Sequence, residues 1–134
     1  MDFIYDLTIP ANTSASAPVE HKVDVGVGII HLVEIEQAPG CKGMVYAAVR
    51  QGLHQVWPTN PGGAFRSNGR VYSSREHYLM ALGDSELVIK GWSPGTTYQH
   101  IVQFRFCVLD VDIEEPWRRQ EGLLEKIKRA LGVS

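Results

Sequence analysis

The sequence predicts an all-β protein: an antiparallel β-sandwich, of jelly-roll or another Greek-key type, with an N-terminal extended arm and a C-terminal α-helix. Two observations predict the sandwich. Apolar and polar residues alternate along short segments, and Gly, Pro, Asn or Ser bounds each segment. The third observation, helical spacing near the C-terminus, predicts the helix. The 134 residues are expected to form one sandwich domain over residues 1–115, followed by an amphipathic helix over residues 116–134.

The predicted strands follow one another with short turns between them. Residues 2–9 alternate strictly, whereas PANTSASAP (10–18) has small side chains and no periodicity, so we expect an arm over about residues 1–18. We expect deletion of this arm to leave a folded core. Further strands are predicted at residues 19–25, 29–35, 44–50, 53–57, 71–72, 76–82, 86–92 and 98–109.

The C-terminal segment has a different pattern. Pro116 suits a first helical position, and apolar residues then recur at helical spacing. The segment 116–134 holds five of the 13 Lys and Arg residues but two of the 15 Asp and Glu residues, so a basic tail follows an acidic body. The apolar stripe either packs on the sheet or docks on another subunit. Its candidate assembly contacts are Trp117, Leu124, Ile127 and Leu131.

No motif in the sequence predicts a catalytic, cofactor or metal site. GWSPG (91–95) matches G-x-S-x-G, but a strand follows where a nucleophile elbow requires a helix. The five histidines lack the spacing of a metal motif, which leaves a cupin-like metal enzyme as the weakest alternative. The two cysteines have no CxxC spacing and suggest synthesis in the cytoplasm. A net charge of -2 and the absence of a long apolar run predict no direct binding to nucleic acid or membrane.

The stretch GLHQVWPTNPGGAF (52–65) is the strongest candidate contact. Pro58 favours an extended backbone at Trp57, and Asn60 to Gly63 supply turn chemistry. One interpretation is a sheet corner with a buried tryptophan. The other is a carbohydrate platform, which requires an exposed ring at Trp57 or Trp92. The candidate ligand or partner contacts are Trp57, Asn60, Phe65, Arg66 and Asn68.

Four stretches, PANTSASAP, GVGIIHLVEIEQAPGC, GLHQVWPTNPGGAF and GWSPGTTYQHIVQFRF, together resemble small β-sandwich virion structural proteins of tailed bacteriophages. The head decoration (cement) proteins are the group they resemble most. The resemblance covers about residues 9–109. It implies a non-enzymatic structural protein that binds and stabilises the capsid lattice.

The partners implied by this resemblance are the major capsid protein or other virion proteins, and the implied location is the virion. The arm and the helix lead us to expect a homo-oligomer, with a trimer as one candidate. The alternative function is a ligand-binding β-sandwich module for glycan or host-surface adhesion, on a virion or a cell.

Overall fold

The computed structural model describes residues 1–109, which contain eight β-strands and no helix. The strands are β1 (Asp2–Ile9), β2 (Val19–Asp24), β3 (Gly28–Gln37), β4 (Tyr46–Gln51), β5 (His54–Trp57), β6 (Arg70–Met80), β7 (Glu86–Trp92) and β8 (His100–Leu109). The all-β prediction is confirmed for this part of the chain. β6 is one long strand where two short ones were predicted. The predicted helix and the domain boundary after residue 115 lie outside the described residues.

The strands form two four-stranded antiparallel sheets that pack face to face. Sheet I has the order β1-β8-β3-β6, and sheet II has the order β2-β7-β4-β5. Most connections cross from one sheet to the other, and only β4 and β5 are both consecutive and paired. This strand order is that of a jelly roll, one of the Greek-key arrangements that the sequence alone left open.

The hydrophobic core lies between the two sheets and is built by side chains that alternate along each strand. In β8, Val102, Phe104 and Phe106 are fully buried, as their shared face in the sequence predicts. Across the strand pair, Ile35 lies opposite Phe104 and Val33 lies opposite Phe106. The intervening residues of β8 point away from the core and form part of the outer face of sheet I.

The segment predicted as an extended arm is instead part of the sandwich. β1 pairs with β8 along its whole length, from Asp2 opposite Cys107 to Ile9 opposite His100. The loop that follows is fixed to the β7–β8 turn, because Gly95 N–H donates to the Asn12 side-chain oxygen at 2.8 Å. The small, aperiodic residues 10–18 are therefore a crossover between sheets. Deletion of residues 1–18 would remove a strand from sheet I and expose the core, so we expect it to unfold the domain.

Gly28 lies where β3 passes very close to β8. A Cβ atom at this position would lie 2.5 Å from the Leu109 carbonyl oxygen and 2.7 Å from Val108 Cγ1. Both distances are far below the roughly 3.5–4.0 Å at which non-bonded carbon atoms pack. We expect Gly28→Ala to lower the free energy of unfolding by about 1–3 kcal/mol, the usual effect of overpacking. Urea denaturation measures this loss, and an unchanged midpoint would contradict the close approach.

Candidate functional site

The five residues predicted as a ligand contact do not form one site. Trp57 is 3% exposed and packs edge-on against Tyr78, with ring centroids 5.3 Å apart. This burial agrees with the sheet-corner interpretation and leaves no ring face for a sugar. Asn60 is exposed in the loop after β5. Asn68 is also exposed, and its side-chain oxygen accepts a hydrogen bond from Gly40 N–H at 2.9 Å.

Phe65 and Arg66 are consecutive residues of the loop between β5 and β6. Phe65 exchanges two backbone hydrogen bonds with Ala47, at 2.8 and 2.9 Å. Its ring packs against Tyr72, with centroids 4.2 Å apart. Arg66 is exposed, and its guanidinium lies 5.3 Å from the Tyr46 ring centroid and donates to the Tyr46 hydroxyl at 2.8 Å.

A cavity of ≈ 270 Å³ opens beside these two residues. Its lining includes two arginines, Arg66 and Arg70, and two aromatic residues, Phe65 and Tyr72. None of the described residues that line it is acidic. The planar fork of an arginine matches a carboxylate or a phosphate, so the chemistry of this lining suits an anionic group.

Gln37 holds the loop of the cavity against the sheet. It is 2% exposed, and its Nε2 donates to the carbonyl oxygens of Val45 at 2.8 Å and Phe65 at 3.1 Å. Its Oε1 accepts a hydrogen bond from the Ser67 hydroxyl at 2.9 Å. The bonds fix both chain neighbours of Arg66. Sequence reasoning missed this residue, although a glutamine at an inward position of an apolar alternation was a usable signal.

An aromatic stack continues the same surface across sheet II. Tyr46 and Trp92 are cross-strand partners, and their rings are parallel to within 4° with centroids 5.6 Å apart. The Lys90 ammonium lies 5.5 Å from the Trp92 ring centroid, within cation–π range. We call Tyr46, Arg66, Arg70, Lys90 and Trp92 the Arg66 surface. Of these, sequence reasoning found Arg66 and, as an alternative aromatic, Trp92.

The cations of the Arg66 surface have no carboxylate partner among residues 1–109. The ion pairs in this part of the chain join Arg50 to Glu20 at 3.0 Å and Arg105 to Asp2 at 3.0 Å, with Glu34 at 4.0 Å from Arg105. The hydrogen bond from Arg105 lowers the pKa of the Asp2 carboxyl. Within residues 1–109, the charges of Arg66, Arg70 and Lys90 are therefore not neutralised by a carboxylate.

A second surface lies on the outer face of sheet I. Ile29 pairs with Leu79 on one side and with Leu109 on the other. Leu79 and Leu109 are 58% and 48% exposed. We call these three residues the apolar row. The adjacent part of the same face carries carboxylates on β1 and β3, namely Asp2, Asp6, Glu34 and Glu36, with Arg105 among them.

A buried cysteine and histidine form a third cluster. Cys41 Sγ lies 3.6 Å from His100 Nδ1 beside a cavity of ≈ 170 Å³. Burial raises the pKa of the Cys41 thiol, and because the thiolate is the nucleophile, we assign this thiol no nucleophilic role.

Within residues 1–109, no group of three or more His, Cys, Asp or Glu side chains is placed to hold a metal ion. The same residues include no helix long and apolar enough to cross a membrane.

Comparisons with known proteins find distant structural likenesses. No protein-family model matches the sequence, and no curated protein matches it. The Yersinia pseudotuberculosis-derived mitogen is 10% identical with a TM-score of 0.44, over 84% of this chain and 89% of the mitogen. The SPBc2 prophage-derived protein YomS is 10% identical with a TM-score of 0.43, over 79% of this chain and 94% of YomS. The Tobacco streak virus coat protein is 8% identical with a TM-score of 0.32, over 82% of this chain and 88% of the coat protein. At these values, the likenesses support no conclusion about function.

Proposed function

We propose that this chain is a non-enzymatic structural protein that associates with copies of itself through the outer face of sheet I. The observation that carries the proposal is the apolar row. Its members lie side by side on three adjacent strands, and two of them are about half exposed. Contiguous exposed apolar side chains mark a contact surface, whereas single ones do not.

Among the strands of residues 1–109, the apolar row reaches the edge strand of sheet I. β6 is the outermost strand of that sheet and is eleven residues long. It carries the exposed side chains of Val71 and Leu79. A long edge strand with apolar side chains is a ready template for pairing with another chain. A second copy that pairs with the Leu79 end of β6 would cover the apolar row and the strand edge together.

Two turns add further exposed leucines at the same end of the sandwich. Leu53 lies in the β4–β5 turn and is 104% exposed, and Leu82 lies in the β6–β7 turn and is 88% exposed. Gln51 joins the two turns, because its Nε2 donates to the Asp84 carbonyl oxygen at 2.9 Å. This end of the domain therefore offers a larger apolar area than the row alone.

The segment that we propose as the cover for the apolar row is residues 116–134 of the second copy. Its sequence spaces Leu124, Ile127 and Leu131 as one helical stripe. Its charge is basic, and the carboxylates beside the apolar row supply the complementary charge. Leu109, the last described residue, belongs to the row.

We place this self-association in a phage virion, where the protein would decorate and stabilise the capsid lattice. This part of the proposal is supported by the resemblance of the sequence to head decoration proteins. The partners would be the major capsid protein or other virion proteins, and synthesis would take place in the host cytoplasm. Binding of the purified protein to capsids that lack it would test this part separately.

Light scattering over a concentration series tests the self-association. We expect the full chain to form a closed oligomer. Leu79→Glu should raise its dissociation constant about tenfold or more, since burying a leucine contributes roughly 1.5–3 kcal/mol. Ile127→Glu, in the proposed cover, should act in the same direction for the same reason.

The matched control for this experiment is Ile101→Glu. Ile101 is 49% exposed on the same face of sheet I, opposite Thr8 and away from the apolar row. This substitution should leave the association unchanged. A chain that stays monomeric at every concentration would contradict the proposal. So would an oligomer that Ile101→Glu weakens and Leu79→Glu does not.

A further inference from the structure

We infer that the Arg66 surface binds an acidic saccharide, with the carboxylate of one sugar held between Arg66 and Arg70 in the ≈ 270 Å³ cavity. This site lies on the loop after β5, on the first residues of β6 and on sheet II, whereas the apolar row meets β6 at Leu79, near the other end of that strand. The two proposals therefore rest on different residues, and separate variants test them.

Two arginines at the cavity, Arg66 and Arg70, have N–H donors that make no hydrogen bond within residues 1–109. A guanidinium offers about five N–H donors in a fixed fork. Among residues 1–109, the Arg66 side chain makes one hydrogen bond, to the Tyr46 hydroxyl at 2.8 Å, and the Arg70 side chain makes none. Neither forms an ion pair in this part of the chain. The two arginines line one cavity that has no acidic residue in the described part of its lining, so a carboxylate from a ligand would pair with both of them.

The other walls of the cavity suit a sugar ring. Phe65 and Tyr72 supply aromatic surface, and Ser67 and Tyr72 supply hydroxyl groups. A pyranose presents C–H groups and hydroxyls on different faces, and such a mixture of apolar lining with a few polar groups is typical of small-molecule sites. The volume lies just below the roughly 300–1,000 Å³ of sites for drug-sized ligands. It therefore suits a single sugar residue.

The aromatic stack explains how a longer acidic chain would continue. Arg66 is at one end of the Tyr46–Trp92 stack and Lys90 is at the other. A second acidic sugar that leaves the cavity over Tyr46 would meet the Lys90 ammonium. The cations are thus placed for an oligosaccharide whose acidic groups repeat.

The same rings argue against single-stranded nucleic acid as the ligand. Bases bind to free aromatic faces, whereas the ring faces of Tyr46 and Trp92 are turned toward each other, with cations over both rings. The surface therefore presents charged and hydroxyl groups to solvent. The net charge of the chain is -2, which also disfavours binding to nucleic acid.

An array of sialylated, uronate-containing, sulfated and neutral oligosaccharides tests the inference with the full chain, and calorimetry measures each hit. We expect carboxylated sugars to be retained and their neutral parents not. Arg66→Ala and Arg70→Ala should each weaken binding about 10- to 100-fold, the effect of losing a charge-assisted hydrogen bond. Arg66→Lys keeps the charge without the fork and should bind with intermediate affinity. Added salt should weaken binding by the full chain.

Arg75→Ala is the matched control, because Arg75 is an exposed arginine of β6 outside the cavity lining. It should bind like the unchanged chain, and circular dichroism should show every variant folded. Retention of no carboxylated sugar would overturn the inference, as would affinity that Arg66→Ala and Arg70→Ala leave unchanged. Retention of sulfated sugars alone would overturn the carboxylate assignment. Tighter binding to a single-stranded oligonucleotide would overturn the saccharide class.

Discussion

Trp57→Ala is expected to lower the free energy of unfolding by about 3–5 kcal/mol, the range for removing a buried aromatic ring. Trp57 is 3% exposed; it belongs to β5 of sheet II, and its ring contacts sheet I. Its ring lies 5.3 Å from that of Tyr78 on β6 and 6.0 Å from that of Phe106 on β8. Since β5 belongs to sheet II, the indole ties the short edge strand to sheet I. Its loss would leave a cavity between the sheets.

Urea denaturation measures this effect, and Trp92→Ala is the matched control. Trp92 is half-buried on the outer face of sheet II, where the stack with Tyr46 contributes roughly 0.5–1.5 kcal/mol beyond area burial. Trp92→Ala should therefore lower the free energy of unfolding clearly less than Trp57→Ala does. If Trp57→Ala does not fold, Trp57→Phe takes its place in the experiment, because phenylalanine keeps a ring in the core. Its loss of free energy of unfolding should be smaller than that expected for Trp57→Ala and larger than that of Trp92→Ala. Equal losses for Trp57→Ala and Trp92→Ala would contradict the core assignment of Trp57.

Local patterns predicted the strands well because in–out alternation is a property of each strand by itself. The prediction for residues 86–92 coincides with β7, and the short segment ending at Trp57 is β5. The pairing of strands depends on distant parts of the chain, and the prediction of an N-terminal arm was wrong for this reason. An aperiodic stretch such as residues 10–18 has the same kind of sequence whether it forms an arm or a crossover between sheets. Only the hydrogen bonds to the β7–β8 turn distinguish them.

The difference between local pattern and long-range pairing also explains which residues of the Arg66 surface could be predicted from the sequence. Arg66 was found because it lies in a conspicuous loop, next to an aromatic residue. Arg70, Lys90 and Gln37 were missed because β6, β7 and β3 bring them to that loop from distant parts of the chain. Trp57 was named for its position before a proline, but the same position places it at the corner of the sheet. Its side chain therefore points into the core.

The two outer faces of the sandwich differ in character, and this difference connects the proposals. Sheet I presents an apolar row beside carboxylates, which fits a basic, amphipathic segment. The Arg66 end of sheet II presents cations around aromatic rings, which fits an acidic ligand. Arg70 is the first residue of β6 and Leu79 lies near its other end, so a copy that covers the apolar row at Leu79 would leave the cavity at Arg70 exposed. Self-association confined to the Leu79 end of β6 is therefore compatible with saccharide binding in one molecule.

Gln37→Leu is expected to lower the free energy of unfolding by about 2–4 kcal/mol, because each buried polar group that loses its partner costs roughly 1–3 kcal/mol. The Val45 carbonyl oxygen and the Ser67 hydroxyl would both lose a bond to the Gln37 amide. The Phe65 carbonyl oxygen would keep the bond from Ala47 N–H at 2.9 Å. Leucine has a similar volume, so the loss would come from the hydrogen bonds rather than from a cavity.

Gln103→Leu makes the same chemical change on the outer face of sheet I. Gln103 donates to the Asp6 carboxylate at 3.1 Å in contact with solvent, so this control should stay within about 0.5 kcal/mol of the unchanged chain. Urea denaturation compares the two variants. Gln37→Leu should also weaken saccharide binding under conditions where it is folded, because Gln37 fixes the backbone on both sides of Arg66. If Gln37→Leu is as stable as Gln103→Leu, the buried amide does not hold the loop. If it is destabilised and still binds with full affinity, Arg66 keeps its position without Gln37.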